Sequence, residues 1–126
     1  MRKEENVDKK MVARVIVQKL QDESSPKEIK TNYLSGFKSP EKVILKGTDT
    51  EFTPDIVADY GKETHLYEIE LSDDIQTDKW KWFSLYAKKN HGNLYLVVPD
   101  WLRNPVKQKL NEQNISAGII YFSTTA

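Results

Sequence analysis

The chain has no cysteine, so disulfides, thiolate metal sites and cysteine nucleophiles are excluded together, and a reducing compartment fits. It has no net charge: nineteen Lys and Arg side chains cancel nineteen Asp and Glu. The overall positive field of a strong non-specific nucleic-acid binder is therefore missing, and any basic footprint has to be local. Long apolar runs are missing as well. Met1 to Glu5 is highly charged, and Arg14, Gln18 and Lys19 interrupt the segment from Met11 to Leu20, which leaves neither a signal-peptide core nor a membrane span. A soluble, cytoplasmic protein with no membrane partner is the expectation. Without a Gly-rich phosphate loop, a G-x-S-x-G elbow or His-rich zinc spacing, P-loop nucleotide hydrolysis, serine hydrolysis and zinc catalysis have no support. No Pro-, Gly- or Ser-rich stretch divides the chain, so residues 1–126 read as a single domain.

What the sequence does have is periodicity. Val7, Met11, Val12, Val15, Ile16 and Leu20 recur at helical spacing between about Glu4 and Asp22 and predict an amphipathic first helix. The β-branched Val15-Ile16-Val17 lowers helix propensity, so packing on a sheet has to stabilise it. Ser24 to Glu41 contains Pro26, Gly36 and Pro40 but is too long for a structureless connection, and Ile29, Tyr33, Leu34 and Phe37 suggest a short helix there. Strands are expected at Lys42 to Gly47, Asp55 to Tyr60 and Thr64 to Leu71. A second helix follows from about Asp74 to Asn90, closed by His91-Gly92, and then a buried strand from Asn93 to Val98. A third helix, Asn104 to Gln113, opens near Pro105, and Gly118 to Ser123 is the last strand. The order is αβββαβαβ. Strands that follow helical crossovers should lie parallel to a neighbour, and the first three should form an antiparallel meander. The expected architecture is a mixed central sheet with helices on both faces: α/β by element order, α+β by strand pairing, an αβββαβ core plus a C-terminal αβ.

Pro54-Asp55 is followed, thirteen residues after the aspartate, by Glu68-Ile69-Glu70. A two-residue Gly61-Lys62 turn pairs Tyr60 with Glu63, and therefore Asp55 with Glu68. In that register Ile56 faces Tyr67 and Ala58 faces His65. Asp55, Glu68 and Glu70 then share one sheet face while Tyr67, Ile69 and Leu71 take the other. A three-residue turn would set Asp55 against Ile69 and mix the two sets. Like charges directly across an antiparallel pair cost roughly 0.2 to 1 kcal/mol unless solvent or a cation relieves them. The acids are therefore either solvated charges on an edge or a Mg²⁺ site held by Asp55 and Glu68, with water and phosphate oxygens completing the shell.

Pro54-Asp55 and Glu68-x-Glu70, set in a helix, three-stranded meander, helix and strand from Glu4 to Val98, resemble the PD-(D/E)XK nuclease superfamily with its restriction-endonuclease-like fold. The resemblance implies Asp55 and Glu68 as ligands of Mg²⁺ (or Mn²⁺). It also implies metal-dependent hydrolysis of phosphodiester bonds in DNA or RNA, with DNA the more expected substrate. One position departs from the pattern, since Glu70 stands where the superfamily has lysine. Some restriction enzymes of the superfamily carry glutamate there, and other members have moved the lysine to the following helix. Both precedents apply: Glu70 as general base, and Lys79 stabilising developing negative charge, with Lys81 its competitor according to helical phase. A buried stripe of Trp80, Phe83, Ser84 and Ala87 would leave Lys79 on its border. A first-helix glutamate often completes the site in the superfamily. Glu5 is the candidate here, although Glu4 and Glu5 also read as first-turn acids favouring the positive end of the helix dipole.

Gln76, Lys81 and Trp82 are the candidate nucleic-acid contacts. The second helix mixes Lys79, Lys81, Lys88 and Lys89 with Trp80, Trp82, Phe83 and Tyr86, a combination able to meet phosphates and stack on bases. Aromatics at helical spacing are more often core. Arg103, Lys107 and Lys109 extend the basic surface around the third helix, and His65 and His91, each near a turn, read as surface polar residues. A catalytically inactive member of the same fold, binding nucleic acid or protein, is the second functional class. An unrelated α/β interaction module whose acids are surface charges is the third. Single DNA-binding modules bury only about 600 to 1,000 Å², so gripping a long duplex site would call for a homodimer or a protein partner.

Overall fold

The hairpin that carries the acids lies in the middle of the sheet. In the computed structural model, which describes residues 7–44 and 47–123, β4 (Ile56–Asp59) and β5 (Thr64–Ile69) pair antiparallel with Ile56 opposite Tyr67 and Ala58 opposite His65. This is the register of the two-residue turn. Tyr60 N–H closes that turn on the Glu63 carbonyl at 2.9 Å, and Gly61 takes φ +92°, a conformation that costs a Cβ-bearing residue and not glycine. The Asp59 carboxylate accepts from the Gly61 N–H at 2.8 Å, which accounts for that side chain at the turn.

Three more strands complete the sheet in the order β1-β4-β5-β6-β7. β1 (Glu28–Thr31) runs antiparallel to β4, whereas β6 (Leu94–Pro99) is parallel to β5 and β7 (Gly118–Phe122) parallel to β6. The two parallel strands follow α2 (Thr77–Lys89) and α3 (Arg103–Gln113), as helical crossovers require. α1 (Lys9–Glu23) packs on the opposite face. The protein is an α+β fold with a mixed sheet and helices on both faces. Trp80 and Phe83 of α2 and Val106 and Leu110 of α3 bury Leu66, Leu96 and Val98 on one side. Val12, Ala13, Ile16 and Val17 of α1 bury Ile56, Tyr67 and Ile69 on the other. No helix among the described residues is long and apolar enough to cross a membrane.

Three expectations are corrected. Residues 28–31 form an edge strand instead of part of a short helix: Ile29 and Thr31 are buried while Glu28 and Lys30 are half-exposed, a period of two that pairing with β4 enforces over the helical spacing of Ile29, Tyr33 and Phe37. The strand expected at Lys42 to Gly47 is only β2 (Val43–Ile44), which pairs with β3 (Glu51–Phe52) as a separate small sheet; Leu45 and Lys46 lie outside the described residues. The meander therefore begins with β1, and β2–β3 is an excursion that inserts Val43 and Phe52 under α2. α1 is also rotated from the expected stripe. Met11 and Val15 are exposed, and Ala13 and Val17 face the sheet. α3 begins with Arg103, directly after a 3-10 turn at Asp100–Leu102.

Candidate functional site

Asp55, Glu68 and Glu70 are 5%, 1% and 7% exposed, which removes the reading in which they are solvated surface charges. Asp55 precedes β4, at the rung where the hairpin's regular pairing ends, and side chains replace the ladder there. Asp55 N–H donates to Glu68 Oε1 at 3.0 Å, and Ile69 N–H donates to Asp55 Oδ2 at 2.8 Å. The reciprocal bonds hold the two carboxylates side by side.

Cations reach this pair from both faces of the sheet. Lys9, at the start of α1, places Nζ 3.1 Å from Asp55 Oδ2. The Asp8 carboxylate caps that helix by accepting from Met11 N–H at 2.9 Å, which fixes where its first turn lies. Lys79, in the first turn of α2, places Nζ 2.7 Å from Glu68 Oε2 and 3.3 Å from Glu70 Oε2. Glu70 Oε2 also accepts from the Trp80 indole N–H at 2.8 Å. The buried stripe of α2 is Trp80, Phe83, Ser84 and Ala87, and this phase turns Lys79 to the acids. Lys81 instead lines a pocket of about 290 Å³ with Ser84, Leu85 and Asn114, beside α3.

Burial and the neighbouring Asp55 charge push Glu68 up to about 8, while Lys79 and Lys9 hold it down. Burial alone would lower Lys79, but Glu68 and Glu70 overcome it and raise its pKa. Lys9 is raised in the same way, burial being outweighed by Asp55 and Glu68. Tyr33, whose ring lies 5.9 Å from Lys9 Nζ, is raised first by burial and then by Asp55.

Asp55, Glu68, Glu70 and Lys79 are thus brought together. Gln76 is the exposed residue before α2, Lys81 points away from the acids, and Trp82 is half-buried against the core under α2, so none of the three touches the cluster. Glu4 and Glu5 lie outside the described residues. His65 is buried, not a surface group: its Nδ1 accepts from Asn93 N–H at 3.0 Å, which leaves Nε2 to donate to Glu63 Oε1 at 2.6 Å. Two participants were missed from the sequence. Lys9 extends the buried stripe of α1 by one turn before Val12 and Ala13, and a lysine in that phase is the signal. Trp80 reads from the sequence as a core residue or a base-stacking ring and not as a partner of the acids, although a fully buried indole N–H needs an acceptor.

Among the described residues no three Asp, Glu or His side chains are spaced as a ready cage for a metal ion. Asp55 and Glu68 nonetheless form a pair of hard oxygen donors, and Mg²⁺ takes one or two carboxylates from a protein and fills its shell with water and phosphate oxygens. The donor set fits such an ion in kind. No protein-family model, curated protein or solved structure matches the chain.

Proposed function

We propose that the protein is a Mg²⁺- or Mn²⁺-dependent nuclease of the PD-(D/E)XK kind, acting on DNA before RNA in a reducing cytoplasm, with Lys79 serving from α2 in place of the motif lysine. The observation that carries this is the position of Lys79 Nζ between Glu68 Oε2 and Glu70 Oε2, at 2.7 and 3.3 Å. Asp55 and Glu68 would hold the ion, which when bound lowers the pKa of water and polarises a phosphoryl oxygen. Lys79 is the group available to meet negative charge developing on the phosphate. Glu70 is a positioning residue: the oxygen that steadies the Lys79 ammonium is the one fixed by Trp80. That assignment replaces the general-base role expected of it from the sequence.

One observation favours a second reading, an inactive binder of nucleic acid or protein. Lys9 and Lys79 already occupy the carboxyl oxygens of Asp55 and Glu68, at 3.1 and 2.7 Å. Labelled single- and double-stranded DNA and RNA, incubated with the protein and Mg²⁺ or Mn²⁺, separate the two. Cleavage should disappear in Asp55→Ala and Glu68→Ala and fall about 10²- to 10³-fold in Lys79→Ala, the loss typical of one transition-state donor. Cleavage that survives both carboxylate substitutions would sink the assignment. Binding without cleavage by the unaltered protein selects the second reading.

A further inference from the structure

The row of side chains containing Glu70 continues across the sheet. Glu70 N–H donates to the Val97 carbonyl at 2.9 Å, which carries the β5–β6 ladder one residue past the Ile69–Val97 pair. β6 in turn pairs Val98 with Tyr121. Register partners in parallel strands share a face, so Glu70, Val98 and Tyr121 stand in one row, with Tyr121 two strands from Glu70, roughly 10 Å at the usual strand spacing. β7 is the sheet edge, and Tyr121 is 50% exposed.

Arg103, the first residue of α3, sets its guanidinium 4.3 Å from the centroid of the Tyr121 ring. The two stand in a groove of about 440 Å³ between α3 and β7, with Lys107 on the same wall and Leu110 and Ile119 beneath. Among the described residues no acidic side chain lines it. In a molecule whose charges cancel overall, two cations and a half-exposed ring without an acid form a local basic footprint. A guanidinium held against a ring keeps its planar fork pre-organised for a phosphate. A tyrosine face accepts an unpaired base of any identity.

We propose that the α3–β7 groove is a binding subsite for single-stranded nucleic acid, with Arg103 taking a phosphate and Tyr121 stacking on a base. It holds the strand beside the phosphate presented to Asp55, Glu68 and Lys79, and in this it rests on the nuclease reading. Single strands are favoured over duplex because a paired base does not offer its face to the ring. The test is fluorescence anisotropy with a labelled oligothymidine of roughly a dozen nucleotides, a length within the site sizes of single-strand binders, in EDTA at low salt. A cleavage assay of single- and double-stranded DNA and RNA in Mg²⁺ or Mn²⁺ runs in parallel.

Tyr121→Ala and the bulk-retaining Tyr121→Leu should each weaken binding about tenfold, within the range measured for one stacked base. Arg103→Gln should weaken binding and reduce the slope of log affinity against log salt by about 0.7, one single-strand phosphate contact. Equal binding by the unaltered protein and the Tyr121 and Arg103 variants, or no binding at all, overturns the subsite, and cleavage in the parallel assay would leave the nuclease reading standing. Losses in those variants without any cleavage establish the subsite and sink the nuclease. Tighter binding of an acidic peptide than of the oligonucleotide, with the same losses, assigns the groove to a protein partner and overturns the proposal.

Discussion

Glu68 stands in the sharpest electrostatic conflict among the acids of the site. It is 1% exposed, beside Asp55, and pushed up to about 8. The folded protein therefore keeps a proton between the ordinary glutamate value of 4.5 and about 8 that the unfolded chain has released. Stability from this group is full below the lower value and is lost as pH rises through the upper one. Urea denaturation in EDTA should show stability declining over that window, and Glu68→Gln should flatten the decline; an unchanged slope would refute the assignment. Trp80 makes the neighbouring prediction. Trp80→Phe removes the indole donor at 2.8 Å from Glu70 Oε2; Lys79 still meets that oxygen at 3.3 Å, so the loss is that of one hydrogen bond, about 0.5–1.5 kcal/mol. The loss should appear in the same denaturation experiment. The register of Asp55 and Glu68 was legible because it needed only the Gly61-Lys62 turn and the period of two. The contacts of Lys9 and Trp80 were not, because they depend on where two helix faces meet the end of a sheet.

At the scale of elements, the buried stripe of α2 matches the sequence reading to the residue, although the helix starts at Thr77 and not near Asp74, and the reason for the stripe is physical. Its stripe mixes Trp80 and Phe83 with small Ser84 and Ala87, so only one phase lets the helix lie close to the sheet. α1 offered two phases of similar hydrophobicity, and the chosen one exposes Met11 and Val15 so that Ala13, with no exposure at all, can approach the strands. β1 was hidden because four residues of alternation are weak beside Tyr33, Leu34 and Phe37, and its partner β4 is remote in sequence. The junction from α2 into β6 is tighter than the His91-Gly92 signal implied. A Cβ on Gly92 would meet the Thr64 carbonyl oxygen at 1.8 Å, and Gly92 N–H already closes the helix on the Ala87 carbonyl at 2.8 Å. Gly92→Ala must push β5 and the α2 end apart, at a cost of at least about 1–3 kcal/mol, the usual range for overpacking. Thermal melting will show it. A melt like that of the unaltered protein would mean that this junction yields.

At the scale of the whole molecule, the carboxylate pair is joined to the stability of the fold, because Asp55 and Glu68 are neighbours only when β4 and β5 are paired. An ion that needs both carboxylates binds the folded state alone and stabilises it by about 2.7 kcal/mol at a hundred times its dissociation constant. Mg²⁺ should therefore raise the melting temperature. The rise should grow from pH 6 toward about 8, as the proton that the ion must displace from Glu68 becomes easier to remove. Asp55→Ala and Glu68→Ala should abolish it. Lys79→Met separates binding from chemistry, because Lys79 Nζ lies 2.7 Å from Glu68 Oε2 and competes with the ion for that carboxylate. Without the ammonium, the Mg²⁺-dependent rise should be larger than in the unaltered protein while cleavage falls. A smaller rise would make Lys79 part of the structure that forms the metal site, and no rise in the unaltered protein would leave the two acids to Lys9 and Lys79 among the described residues.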